Sequence, residues 1–441
     1  MWGALVLMLA AAVAAPPPQG LEHRLWLLRK VRPGVVEEAR RVGVDAVVLP
    51  VGEVTVRGRE ATVTLAPLPA PSDLQGLPLW AALWVRGEGA TKEAALALWN
   101  QLGPAVRGLG VPVRGLVLVA TSLPPGCATV AAELAKLSKL PVELGAPVGD
   151  LLRETQNGKP QGITLVAFAL GNLGVLGFPE VTPQDAADLL ASLDEQGLPF
   201  RGALVVGGGI EPPPPEGANP WELVSQLDYQ PTASGDVLVA TRPLSGGGWS
   251  LSAGARLTVR AYDAARLERD LGVLLRPVRR SLIGWDSVGE LPPAPALGFT
   301  WEAFVGFFSG QPPWPQPAVR GEWVSPTTVK LTVENPTPFA SAFATTGNFL
   351  DVSFAGTEVK DVTLAVASGA DFGQKGRGFV RTPRGAATTV RLYLKVVPPN
   401  ASLEMATVSF ISRPKELSAS FTLRLGDGRQ LELPVVMSLP R

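Results

Sequence analysis

One histidine and one cysteine in 441 residues remove several chemistries at once. Cys127 has no partner in the chain for a disulfide, and a zinc site built on cysteines cannot be assembled. It follows Gly126 at a predicted helix start and reads as a small buried residue rather than a poised thiol, because His23 is far from it in sequence. His23 also precedes every candidate serine, and no G-x-S-x-G elbow is present, which sets serine hydrolysis aside. The absence of a histidine cluster and of EF-hand spacing argues against a resident metal. A glycine-rich dinucleotide fingerprint or phosphate loop is also missing: Gly207 to Gly209 and Gly246 to Gly248 lack the lysine and helix context and read as strand exits or turns. No cofactor is expected. The 39 basic and 39 acidic side chains cancel, and no basic stripe is interleaved with aromatics, so nucleic acid is not an expected partner.

Long hydrophobic runs are also scarce. The apolar stretch Ala4 to Ala14 is too short for an ordinary membrane anchor and ends in Ala12-Val13-Ala14 before a run of prolines. That pattern predicts a signal peptide over 1–14 and an exported protein, periplasmic or extracellular. The segment before the run carries no Lys or Arg, which leaves an uncut anchor or a buried N-terminal element as the other reading. No lipoprotein cysteine stands at the cleavage point. After signal removal no integral membrane domain is expected.

What is present is a succession of short apolar runs parted by helix-like segments. "RLWLLRKV", "DAVVLPVGEV", "LPLWAALWVRG", "GLVLVA", "LPVELG", "GITLVAFALG", "GALVVGG" and "SLIGWD" make eight runs. Several are continuously apolar, as strands covered on both faces are. Thr182, Pro183 and Asp185 mark the clearest helix start, and Arg57-Gly58-Arg59 marks a hairpin where the second unit has no helix. Eight such runs within 21–310, with an insertion over 211–277, predict a (β/α)8 TIM-like barrel. After a proline-rich linker at 311–319 the grammar changes. Alternating runs separated by Gly, Asn, Asp or Pro, with Asp427-Gly428 as a hairpin turn, predict an all-β sandwich over 320–441.

A barrel of this kind gathers its strand exits at one mouth. The exits offer Arg29, Lys30 and Arg32; Glu53; Arg86 and Glu88; Thr121 and Ser122; Glu143 or Asp150; Asn172; Glu211; and Trp285, Asp286 and Glu290. Glycoside hydrolysis needs two carboxyl groups across the bond, and Glu53 with Asp286 is the best available catalytic pair. Trp26, Trp80, Trp84, Trp285 and Trp301 lie in or beside barrel elements. Core packing accounts for most of them, Trp80 and Trp84 sharing one strand face, and Trp285 is the tryptophan expected at the mouth, where Asn172 and Arg29 complete a ligand-binding set.

The segments "HRLWLLRKVRPGVVEEARRVGVDAVVL", "GLPFRGALVVGG" and "RLERDLGVLLRPVRRSLIGWDSVGELP" resemble an uncharacterised bacterial secreted family with a glycoside-hydrolase-like barrel, of which this chain reads as a divergent member. The resemblance runs from Leu21 to Gly310. It implies an aspartate-containing motif after the fourth run, where this sequence has "LVLVATSLPP", so no acid can be placed at Thr121 or Ser122. Three readings follow. The first is a non-catalytic exported protein that binds a polysaccharide or envelope component on a degenerate barrel. The second is a glycoside hydrolase. The third is an assembly or secretion accessory that meets a protein partner through the sandwich.

Overall fold

The computed structural model describes residues 20–28, 32–156, 162–232, 235–260, 262–376, 378–435 and 437–438. The predicted signal segment 1–14 and Arg29 and Lys30 lie outside them. The chain divides into two compact units: one comprises the N-terminal part to Gly207 with Leu267–Leu291 and Phe308–Gly310, the other Gly208–Arg266, Pro292–Phe307 and Gln311–Arg441.

The first unit is a closed barrel of eight parallel strands. In chain order they are β1 (Glu22–Leu27), β2 (Ala46–Gly58), then the hairpin strand β3 (Glu60–Leu65), β4 (Leu79–Ala90), β5 (Val113–Val119), β6 (Val142–Pro147), β7 (Thr164–Gly171) and β8 (Phe200–Val205). The eighth barrel strand, β15 (Leu282–Gly289), comes only after the six strands of the other unit's insertion. Closure is direct, because β1 pairs in parallel with both β2 and β15. Helices α1 (Val35–Arg41), α2 (Lys92–Gly108), α3 (Cys127–Ser138), α4 (Val148–Gln156) and α5 (Pro183–Glu195) make the crossovers, and the antiparallel β2–β3 hairpin takes the place of a helix after β2. At α5 the Thr182 hydroxyl accepts the Asp185 N–H at 3.1 Å, with Pro183 supplying the fixed φ of the first turn.

Inward-facing side chains fill the barrel. Trp26, Val48, Ala82, Val117, Val119, Val166, Phe168, Ala203, Val205 and Val288 form one cluster, with Trp80 and Trp84 packed against it. Glycine makes room at two points. A Cβ on Gly115 would sit 2.2 Å from the Trp80 ring, and Gly171, at φ 92°, passes so close to β8 that a Cβ would meet the Val205 carbonyl at 2.2 Å. Among the described residues no helix is long and apolar enough to cross a membrane.

The second unit begins with the insertion. Strands β9 (Gly209–Glu211), β10 (Asp228–Thr232), β11 (Gly235–Val239) and β14 (Arg256–Arg260) form a four-stranded antiparallel sheet; β12 (Leu244–Gly246) and β13 (Trp249–Leu251) form a small hairpin. With the short helix α6 (Trp221–Val224), they enclose Leu223, Val224, Leu227, Leu238, Trp249 and Leu257 around Phe343 and Val396. The segment expected as a barrel insertion therefore divides: Gly208–Arg266 is part of the second unit, and most of α7 (Ala264–Leu275) is part of the barrel unit. After β15 the chain forms the short helix α8 (Trp301–Phe308).

The rest of the second unit is a sandwich of antiparallel sheets. One sheet has five strands, β16 (Ala318–Ser325), β17 (Thr328–Asn335), β19 (Val359–Leu364), β23 (Ala401–Phe410) and β26 (Met437–Ser438), in which only β26 runs parallel to its neighbour. The other has six, β18 (Asn348–Ala355), β20 (Gly369–Lys375), β21 (Phe379–Arg381), β22 (Thr389–Leu394), β24 (Glu416–Arg424) and β25 (Gln430–Val435). Alternate residues of both sheets meet in one core, with Val329, Leu331 and Val408 from the first and Leu350, Val390 and Phe421 from the second, all 0% exposed. Asp427-Gly428 does turn β24 into β25, Gly428 taking φ 90°.

Candidate functional site

The register of the barrel decides where each candidate acid sits. Arg24 pairs across the strands with Asp286 on one side and with Ala46 on the other. Glu53 lies seven residues beyond Ala46 on β2, roughly 20 Å further along at about 3.3 Å per residue. It stands exposed on the hairpin extension, where Arg86 Nη2 reaches its Oε1 at 3.2 Å, also at the surface. Asp286 is fully buried. Glu53 and Asp286 are thus not brought to the two sides of one bond, and carboxyl groups that share a glycosidic bond lie within about 10 Å.

Asp286 is instead the centre of an ionic cluster toward the amino-terminal end of the barrel. Its Oδ1 accepts from Arg24 Nε at 3.0 Å and Arg201 Nε at 2.7 Å; its Oδ2 accepts from Arg24 Nη2 at 2.9 Å and Trp26 Nε1 at 2.8 Å. Arg24 Nη2 also reaches Glu143 Oε2 at 2.6 Å, and Arg201 Nη1 reaches Glu22 Oε2 at 2.6 Å. The Arg24 guanidinium lies 4.6 Å from the centre of the Trp80 ring. Burial alone pushes the Asp286 carboxyl up, but the charges of Arg24 and Arg201, together with hydrogen bonds from Arg24 and Trp26, outweigh it and hold the group at about 2. Glu143 has fewer donors, and burial pushes it up, with Asp286 adding to the rise against the opposing charge of Arg24. A carboxylate locked in its ionised form by four hydrogen bonds is a poor proton donor, and no face of it is left for a sugar carbon.

The predicted ligand-binding residues are similarly dispersed. Trp285 alternates with Asp286 on β15 and therefore points out of the barrel, where it stacks on His23 with ring centres 3.6 Å apart and lies 5.7 Å from Phe308. It is 0% exposed and does not reach the mouth. Asn172 is at the end of β7, with its amide 3.4 Å from the Gly207 carbonyl oxygen. Glu143, on the mouth inventory, belongs to the buried cluster; Asp150 lies in α4, pairs with Arg153 and accepts the Leu123 N–H at 2.9 Å. Cys127 is buried, and burial pushes its thiol up to about 12.

The carboxy-terminal end of the barrel is itself packed with side chains. After β7 the chain makes a short turn, Leu173–Leu176, and brings Phe178 to 4.5 Å from Phe168 and 6.2 Å from Trp84. Leu173 and Phe178 are buried, and Leu176 and Val181 pack against the same cluster.

An open concavity lies in the second unit. A cleft of about 920 Å³, within the roughly 300–1,000 Å³ common for ligand sites, runs beside α6. Its polar lining comes from Asn219, Glu222, Ser225, Gln226, Arg242, Ser368, Lys395, Asn400 and Ser402, and its apolar lining from Pro295, Pro398, Pro399, Val366 and Leu403. Trp221 is fixed beside it: its Nε1–H donates to the Ala296 carbonyl at 3.0 Å, and the ring stacks on Phe343 with centres 6.3 Å apart and planes 11° apart. Ser368 and Lys395 also line an adjoining cavity of about 420 Å³ with Asp228, Tyr229, Thr345, Thr346 and Tyr393. There Lys395 Nζ donates to Asp228 Oδ1 at 3.1 Å, and Tyr229 donates its hydroxyl to Asp236 at 2.8 Å. Burial, with that hydrogen bond, pushes the Tyr229 hydroxyl up to about 12 and keeps it a donor. The sequence offered little sign of this site, because its residues come from segments far apart in the chain.

Among the described residues no group of three or more His, Cys, Asp or Glu side chains is placed to hold a metal ion. No family model and no curated protein matches the chain. Among solved structures, the chain is similar to the spore cortex-lytic enzyme SleL of Bacillus megaterium QM B1551, with 14% identity over 60% of this chain and 70% of that one and a TM-score of 0.38.

Proposed function

We propose that this protein is an exported, non-catalytic binding protein of the cell envelope, in which the barrel serves as a scaffold and the cleft of the second unit takes a polysaccharide chain. The observation that carries this reading is the contrast between the two ends of the chemistry: Asp286 is fully buried on four donors, whereas the 920 Å³ cleft presents amides and hydroxyls around an open space. Hydroxyl-rich chains are recognised by such neutral groups, because each hydroxyl both donates and accepts while Asn, Gln and Ser supply the complementary partners. Proline faces and Val366 offer apolar surface for the C–H faces of the rings. The adjoining cavity shares Ser368 and Lys395, which favours a chain of several units over a single sugar.

The test is retention of the purified protein on immobilised envelope polysaccharides, comparing the wild type with Asn400→Ala/Gln226→Ala. Retention that falls about tenfold in the double variant supports the cleft as the site, taking about 0.5–1.5 kcal/mol for each hydrogen bond lost. Unchanged retention in that variant, or no retention of the wild type on any polysaccharide, contradicts it.

A further inference from the structure

Resting on that reading, we infer that the cleft selects a glycan bearing carboxylate groups and that Arg242 holds the carboxylate. Four charged side chains bear on the two joined cavities, and three are engaged. Lys395 is bound to Asp228 Oδ1 at 3.1 Å and to the Gln226 carbonyl at 3.4 Å, and Glu222 accepts from the Asn219 amide at 3.4 Å. Arg242 lines the larger cleft, is exposed, and makes no hydrogen bond or ion pair among the described residues.

The backbone that carries it is nonetheless held in place. Thr241, Arg242 and Pro243 form a short turn between Ala240 and Leu244, which are both buried. Ala240 is pinned from two directions: its N–H donates to the Ala255 carbonyl at 2.9 Å, and its carbonyl accepts from Gly254 N–H at 2.7 Å. Pro243 restricts the backbone immediately after the arginine. A guanidinium displayed in this way offers a planar fork of donors that matches a carboxylate with two parallel hydrogen bonds.

The surrounding charge narrows the ligand further. Arg242 is the cation of the cleft that has no ion-pair partner among the described residues, and Glu222, whose carboxylate is met by the neutral Asn219 amide, lines the same cleft. A densely sulfated or phosphorylated polymer would place several anions where only one is matched and would meet the Glu222 carboxylate. Isolated carboxylates spaced among neutral hydroxyls, as in a uronic-acid-containing chain, fit one arginine among amides and serines.

The experiment titrates the full chain with oligogalacturonate and with hyaluronan oligosaccharides, each beside its carboxyl methyl ester, for the wild type, Arg242→Gln and Arg242→Lys. The expected result is that at least one acidic oligomer binds the wild type about tenfold more tightly than its ester, the size of one charge-assisted hydrogen-bond pair. Arg242→Gln should bring acid and ester to the same affinity, with Arg242→Lys in between. Equal binding of acid and ester by the wild type, a preference that survives Arg242→Gln, or retention of neutral polysaccharides with no binding of either acid overturns the inference and leaves the polysaccharide reading standing. Failure to retain any polysaccharide, neutral or acidic, removes both.

Discussion

Arg24 grips Asp286 with two parallel hydrogen bonds, Nε to Oδ1 at 3.0 Å and Nη2 to Oδ2 at 2.9 Å, both side chains being fully buried. Such a pair owes its effect on stability to what remains when one member is lost: two guanidinium groups, Arg24 and Arg201, would be buried without their shared anion. Asp286→Asn is therefore expected to destabilise the barrel by about 3–5 kcal/mol. Glu53→Gln, which breaks only an exposed pair with Arg86, should change stability by less than about 1 kcal/mol. Denaturant unfolding of the two variants beside the wild type measures the difference; equal, small effects would contradict the structural role of Asp286.

His23 makes the same region sensitive to mild acid. Burial holds its imidazole down at about 3, against the raising influence of Asp286 and with Arg201 acting in the same direction as burial. The unfolded chain takes up the proton near 6.5, and the folded chain does not do so until about 3, so the unfolded state binds more protons throughout that interval. The stabilisation is complete above about pH 6.5 and is lost as the pH falls towards 3. Between pH 7 and pH 5 the loss should be about 2 kcal/mol. His23→Phe retains an aromatic ring against Trp285 and removes the titration, so its stability should change much less over that range in equilibrium unfolding. An identical pH dependence in the variant would assign the effect to other groups.

The eight barrel strands and the hairpin at Gly58 were legible because alternation, continuous apolar runs and turn residues are local signals. The sandwich was legible for the same reason, down to the turn at Asp427-Gly428. The ionic cluster was not, because Arg24, Glu143, Arg201 and Asp286 come together only through the register of four strands spread over most of the barrel unit. A signal was nevertheless present: each is a charged residue within a short, otherwise apolar strand run, as in "HRLWLL", "PVELG", "PFRGAL" and "IGWDSV". Reading Asp286 and Trp285 as mouth residues assumed that a strand's polar residue marks its exit, whereas β15 continues to Gly289 and places Asp286 in its middle. The assembly of Gly208–Arg266 with the C-terminal sheets had no local signal, since it depends on pairings of Leu238 and Leu257 with Phe343 and Val396 in a common core.

Phe178 closes the carboxy-terminal end of the barrel against Phe168 and Trp84. Phe178→Ala leaves a cavity in this packing and should cost about 3–5 kcal/mol. Thermal or denaturant unfolding measures that cost, and a variant as stable as the wild type would show that the Phe178 contacts do not seal the barrel.

Cys127 supplies a simple probe of barrel integrity. With its side chain buried and its thiol pushed up to about 12, it should react with Ellman's reagent at pH 8 only as the protein unfolds, releasing one equivalent in denaturant. Stoichiometric labelling within seconds under native conditions would contradict the burial of α3 against the barrel.

The scaffold role of the barrel is tested most directly by assaying reducing-end release from the retained polysaccharides by the wild type and by folded Asp286→Asn and Glu53→Gln proteins. The account predicts retention with no release above the protein-free control in any of the three. Release by the wild type that disappears in either folded variant would contradict it and return the barrel acids to catalysis.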